Sequence, residues 1–293
     1  MSAALRVSGR CYDRAVRDVR PAAVAGSWYP ATGARLSEEV DAHLASVVLD
    51  EVGACPRAII APHAGLMYSG PVAAYAYTLV RQCSYGAAVL VGPSHFAGFD
   101  GVSIWPRGEW STPLGAVKVA GGLAEALAAE SGAIVEHPAA HGREHSLEMQ
   151  LPFVARLLPG VPIVPLVMGH QQRNTAMALG DAIARAVTSY RTRTPGDILL
   201  VASSDLSHYQ DAATAARLDA SVVRHIEAFD ADGLMDLLER EPRHACGGGP
   251  MVSVLRAAAL LGGTRARVLR YADSGDVSGD KSSVVGYLAA AIW

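Results

Sequence analysis

The sequence predicts one α/β domain, a central mostly parallel or mixed sheet flanked by helices on both faces. Three observations predict it. Short apolar runs at residues 58–61, 87–91 and 198–202 are bounded by turn residues, as strands covered on both faces are. Helix-period stretches alternate with such runs along the chain. No Pro-, Ser- or charge-rich linker divides the 293 residues, and 51% hydrophobic against 18% charged supplies a large core.

The elements follow in order. Residues 1–20 are polar and aperiodic and predict a flexible amino-terminal arm, leaving 21–293 as the domain. Residues 24–30 form a turn that pins Trp28 and Tyr29 near the core. Leu36, Val40, Leu44 and Val47 give helical spacing over 34–49, with Glu38 and Glu39 in the half that the helix dipole favours. The first strand, 58–61, runs into Pro62-His63. Gly70-Pro71 predicts a helix start, continuing to Val80. The second strand, 87–91, breaks at Gly92-Pro93 and delivers Ser94-His95. Residues 102–105 and 116–119 predict a strand pair joined through 106–113. A helix at 123–129 and a brief strand at 133–135 lead to a polar loop, where Ser146 reads as the cap of a helix reaching about Leu158, with Pro152 in its first turns. Strand 161–167 and the amphipathic helix 175–190 precede the third marked strand, 198–202, which runs into Ser203-Ser204-Asp205-Leu206-Ser207-His208. Helices at 212–228 and 230–239 follow. A third opens at Cys246-Gly247-Gly248-Gly249-Pro250, before strands at 268–273 and 284–292.

Bulk properties narrow the function. A formal net charge of −3 gives no general attraction to nucleic acid or to an anionic membrane. Lys118 and Lys281 are the only lysines. There is no secretory h-region, and no uncharged run reaches the ~18 residues of a membrane span. The four cysteines lack CxxC spacing and predict reduced thiols and a cytoplasmic protein. No nucleotide fingerprint is present.

The chemistry lies at strand ends. If the three marked strands share one sheet in the same direction, His63, His95 and His208 meet where open α/β sheets bind ligands. Neutral imidazole is the commonest metal ligand. Asp205, three residues before His208, is expected to orient it or to join the metal shell, with His208 as acid/base. Cys246 stands at a loop-to-helix junction, and its three following glycines imply close backbone approach. His141-Gly142-Arg143-Glu144-His145 fits the HxxEH pattern of a zinc hydrolase, in which His141 and His145 would share a helical face. Against a helix there, Gly142 and Pro138 favour a polar loop whose Glu144 and His145 face the site from behind the ligands. The acidic segment 273–280 reads as a loop lining the crevice and lacks the spacing of a calcium-binding loop.

Assembled, these segments resemble the Memo family, in particular the bacterial proteins of the AmmeMemoRadiSam system. The matching stretches are Ala25-Gly26-Ser27-Trp28-Tyr29-Pro30, Ala61-Pro62-His63-Ala64-Gly65, Gly92-Pro93-Ser94-His95, Glu144-His145-Ser146-Leu147-Glu148-Met149-Gln150-Leu151-Pro152, Ser203-Ser204-Asp205-Leu206-Ser207-His208, Cys246-Gly247 and Ser274-Gly275-Asp276. The resemblance implies a fold related to the class III extradiol dioxygenases. It implies metal binding by His63, His95 and Cys246, with iron first, copper second and zinc third. It puts His208 in the acid/base position, with Asp205 beside it; Glu144 and His145, from the polar-loop reading, are further catalytic candidates that act from behind the ligands. It also implies an unidentified small molecule or a modified, phosphotyrosine-like peptide as ligand, and AMMECR-type and radical-SAM proteins as partners. Non-haem iron oxygenases use two histidines and a carboxylate; a thiolate in the third place departs from that pattern and argues against ordinary ring cleavage.

Overall fold

The computed structural model describes residues 18–49, 53–192 and 196–293. Twelve strands are present among them: β1 (Val19–Arg20), β2 (Ala58–Ala61), β3 (Tyr85–Pro93), β4 (Val102–Ile104), β5 (Glu109–Thr112), β6 (Gly115–Lys118), β7 (Ile134–Glu136), β8 (Ile163–Met168), β9 (Asp197–Ser203), β10 (His208–Gln210), β11 (Ala266–Asp273) and β12 (Val284–Ile292). Nine of them form a mixed sheet in the order β10-β12-β2-β9-β3-β8-β4-β7, with β11 also paired to β12. The centre, β2-β9-β3-β8, is parallel throughout, while β12 joins β2 and β4 joins β8 in antiparallel fashion. The α/β expectation holds. The three marked strands are adjacent and point the same way.

Side-chain alternation along these strands builds two cores. Ile60, Val89, Val91, Leu200 and Ala202 face one of them, packed against helices Arg173–Arg191, Ala212–Glu227, Ala231–Arg240 and Gly248–Leu260. Ile59, Ala88, Leu90, Leu199 and Val201 face the other, under helices Gly33–Ala45, Leu66–Val80 and Leu151–Leu157. Helices thus cover both faces. None of the helices among the described residues is long and apolar enough to cross a membrane.

Several expectations are corrected. The predicted arm ends too late: Val19 and Arg20 pair in parallel with β5, while residues 1–17 lie outside the described residues. Residues 102–105 and 116–119 do not pair. β4 enters the main sheet between β8 and β7, and β6 pairs with β5, which forms inside the expected connection because Trp110 buries fully there. The helix placed at Gly70 begins at Leu66, directly after the His63 turn, so Pro71 lies inside it. The carbonyl that Pro71 cannot serve belongs to Met67, which is exposed to solvent. Ser146 caps no helix. Its hydroxyl donates to the Pro93 carbonyl, the chain turns through a 3-10 segment at Glu148–Gln150, and Pro152 sits at the second position of the helix that follows.

The cysteine expectation is also overturned. Cys55 and Cys83 form a disulfide. Cys55 precedes β2, and the helix after β2 carries the chain back to the same end of the sheet, where Cys83 precedes β3. Sequence spacing does not show that return.

Candidate metal centre

His63 follows β2, and His95 follows β3. His145 arrives on the loop after a short helix, Pro138–Gly142. Ligand atoms of these three histidines lie within 4.8 Å of one another. The His95 and His145 rings stack at 4.4 Å between centroids, and His63 lies edge-on to both, at 5.2 and 5.6 Å. His63 is buried, whereas the His95 side chain is 28% exposed, so the centre opens on the His95 side.

Hydrogen bonds fix which nitrogens face inward. The Ser203 hydroxyl donates to the Ser146 carbonyl at 2.7 Å and accepts from the Gln150 amide at 2.7 Å. Its one proton is therefore used, and His63 must donate Nδ1–H to it across 2.9 Å. That leaves the His63 Nε2 lone pair facing the Cys246 thiol at 3.1 Å. His95 donates Nδ1–H to Glu144 at 2.9 Å, which likewise frees Nε2. Imidazoles backed by a hydroxyl or carboxylate in this way are the usual construction behind a metal. His145 Nδ1 is buried without a hydrogen-bond partner.

Glu144 organises the loop. One carboxylate oxygen accepts the backbone N–H groups of His145 and Ser146, and the other accepts that of His95. Burial raises its pKa, but the bonds and charge of His95 and the Ser146 N–H outweigh this and hold it down at about 2. Gly92 lets the loop approach, since a Cβ there would lie 2.7 Å from the Ser146 hydroxyl.

Asp205 and Cys246 fill the floor. Asp205 accepts the His63 backbone N–H at 2.7 Å and does not hydrogen-bond His208; it orients the His63 turn instead. Burial lifts its pKa to about 7, against the N–H bonds of His63 and Ala64 and the charge of His95. Cys246 is half-buried, bonded backbone to backbone with Asp205, and the Asp205 N–H points at its sulfur at 3.3 Å. Burial, then the Asp205 carboxylate, push its thiol well above the usual value; a bound cation would reverse that. The glycines after it do mark close approach: a Cβ on Gly247 would stand 2.4 Å from the Ser203 carbonyl.

His208 begins β10 and does not extend β9. It donates Nδ1–H to the Leu206 carbonyl at 2.9 Å, leaving Nε2 as a base. Burial lowers its pKa, as it does those of His63 and His145, the last to about 4, with the charge of His95 adding to the effect. Neutral imidazoles are what a metal requires.

His141 stands apart. Its helix ends at Gly142, so His141 and His145 share no helical face, and His141 Nε2 donates to Ser103. The zinc-hydrolase arrangement is therefore not formed. The acidic segment carries its own cation, since Lys281 bridges Asp273 at 2.7 Å and Asp276 at 2.6 Å.

Some residues of the centre lay within the family-matching stretches without their roles being read. Ser203 and Gln150 set the His63 tautomer, yet neither spacing nor type marks them. Glu148 pairs in the interior with Arg20, at the end of the segment taken as an arm.

Fold and site together define an α/β protein with a histidine-rich centre at the carboxyl ends of parallel strands. The chain belongs to the Memo family: the model described as Memo-like protein matches residues 20–291. It is 40% identical to a MEMO1 family protein of Methanothermobacter thermautotrophicus over 92% of this chain and 98% of that protein. MEMO1 family proteins of Methanosarcina mazei and Sulfolobus acidocaldarius are 39% and 38% identical, over 93% and 92% of this chain and 98% of each relative.

Proposed function

We propose that this chain is a metal-dependent redox protein that binds iron, or else copper, through His63, His95 and His145, with the Cys246 thiol as a fourth donor beside His63. The observation that carries this is the convergence of three imidazoles, each offering a ring nitrogen within 4.8 Å of the other two, with His63 and His95 backed by Ser203 and Glu144. The donor set fits a transition metal: neutral nitrogen ligands, a sulfur, and a buried nitrogen without a partner. When bound, the metal supplies one-electron chemistry. His208 takes or returns a proton at Nε2, Asp205 holds the His63 turn, and Glu144 holds His95. The substrate is a small molecule or modified peptide reaching the centre past His95. A cytoplasmic setting, against which the Cys55–Cys83 disulfide counts, and action beside AMMECR-type and radical-SAM proteins belong to the same proposal. The second of these rests on the family resemblance alone.

The test is elemental analysis of protein purified without oxygen. Wild type is expected to hold iron or copper, and a His63→Ala/His95→Ala double variant to hold neither; equal metal in both sinks the assignment. With Co(II) as probe, Cys246→Ser is expected to abolish the sulfur-to-metal absorption band while His145→Ala retains it. Loss of metal in His145→Ala but not in Cys246→Ser would make the thiol a bystander.

A second reading has one observation in its favour. Trp28 packs at a tilt against His145 with ring centroids 4.2 Å apart, exposed Phe96 lies 5.9 Å from the same ring, and Arg143 covers Phe96, so an aromatic, cationic mouth surrounds the centre. Such a mouth suits an acidic aromatic side chain of a peptide. Binding of a phosphotyrosine peptide that survives chelation, and disappears in Trp28→Ala, would favour this reading.

A further inference from the structure

We infer that Arg20 and Glu148 act as a positioning pair for the histidine centre, so that the amino-terminal strand is part of the metal site without touching it. The inference rests on the metal-binding reading above.

His145 is the least anchored of the three histidines. Its Nδ1 has no hydrogen-bond partner, the nearest carboxylate oxygen being that of Glu144 at 3.6 Å, and its ring is located by stacking on His95 and by Trp28 packed against it at a tilt of 50°. Its place therefore depends on the backbone beneath it and on the backbone that carries Trp28. The Arg20–Glu148 pair holds both.

Arg20 is 1% exposed and Glu148 is fully buried. The guanidinium donates to the carbonyls of His141 and Glu144, one at the end of the short helix and one immediately before His145, and its third edge pairs with Glu148. Its planar face lies 4.4 Å from the centre of the buried Trp110 ring, which fixes its orientation. Glu148 reaches the other way. It accepts the backbone N–H groups of Ala23 and Val24 and the Tyr29 hydroxyl, fixing the turn that carries Trp28.

The planar fork matters more than the charge. Five fixed donors reach two carbonyls and a carboxylate at once, whereas a lysine ammonium on a flexible stem cannot span all three. β1 supplies Arg20 in register with Trp110, and the remaining strand residue only pairs with β5. Two residues of strand thus carry a side chain that reaches the loop behind the metal ligands.

The test compares full-length wild type with Arg20→Lys, and with Arg20→Met/Glu148→Gln, which leaves no lone buried charge. Co(II) affinity and d–d spectrum are read alongside hydrogen exchange of the metal-free protein. Both variants are expected to bind Co(II) at least about tenfold more weakly, as loss of the support behind a ligand does, with an altered spectrum. Amides of His145 and Ser146 are expected to exchange about tenfold faster, while those of β2, β3 and β9 are unchanged. Adding His145→Ala to Arg20→Lys is expected to cost little further affinity. Affinity within twofold of wild type and unchanged loop exchange would overturn the inference. So would faster exchange across the core strands, which would make the pair a general support of the fold. If wild type itself fails to bind Co(II), the metal reading falls, and the exchange comparison alone decides the positioning role.

Discussion

Ser203 has a single proton and gives it to Ser146, and that choice determines what His63 can do. With Nδ1–H committed to Ser203, His63 presents only a lone pair to the centre. Glu144 imposes the same state on His95 and ties the backbone of both loops. A glutamine has one acceptor oxygen and cannot serve four donors, so Glu144→Gln is expected to weaken metal binding by about 10–100-fold, measured by competition with a chromophoric chelator. His141 shows the opposite use of burial. Its Nδ1 is buried and unpartnered, and burial, then the charge of Arg20, lower its pKa to about 3 from the ordinary 6.5. Between those values the unfolded chain binds more protons, so stability falls as pH falls, by at most about 1.4 kcal/mol per pH unit. Denaturant melts at pH 7 and 4.5 are expected to show His141→Gln losing about 2 kcal/mol less than wild type. Equal losses would mean that His141 protonates freely in the fold.

At the scale of elements, the strands read correctly where both faces are covered. Residues 58–61, 87–91 and 198–202 need only continuous apolar character, and all three are strands of the parallel centre. Junctions read less well, because their geometry depends on partners far along the chain. The Gly247 turn can lie against β9 only while it lacks a side chain. Gly247→Ala is expected to cost roughly 1–3 kcal/mol and to displace Cys246 from His63, seen as a weaker sulfur-to-metal band. Tyr209 is a further case. It is 78% exposed and holds φ at 62°, in the left-handed region, next to the pairing irregularity between His208 and Gln210. Tyr209→Gly is expected to raise stability by about 1 kcal/mol, because glycine adopts that left-handed backbone without a Cβ clash, read as a higher Tm.

For the whole molecule, the sheet and the meeting of His63 and His95 were legible because each is encoded locally, by an apolar run that stops at a turn residue and a histidine. Cys246 was legible through its glycines. The promotion of His145 to the centre was not, since only the close approach of the Ser146 loop to Gly92 and Pro93 brings it there. Arg20 was hidden for the same reason: nothing near residue 20 announces a partner at 148. The Cys55–Cys83 link was concealed by the return path of a helix. Closing a loop of 28 residues restricts the unfolded chain by roughly 3–4 kcal/mol. Thermal melts with and without a thiol reductant are therefore expected to differ in wild type and to coincide in Cys55→Ser/Cys83→Ser.

That link also makes the β2–helix unit a closed covalent ring with the His63 turn on it. A protease that nicks the chain once inside the ring opens it without releasing a piece. The cut protein would migrate as an intact chain on a denaturing gel until reductant separates two fragments. The redox state of the unit can thus be read from a gel, independently of any assay of what the centre does.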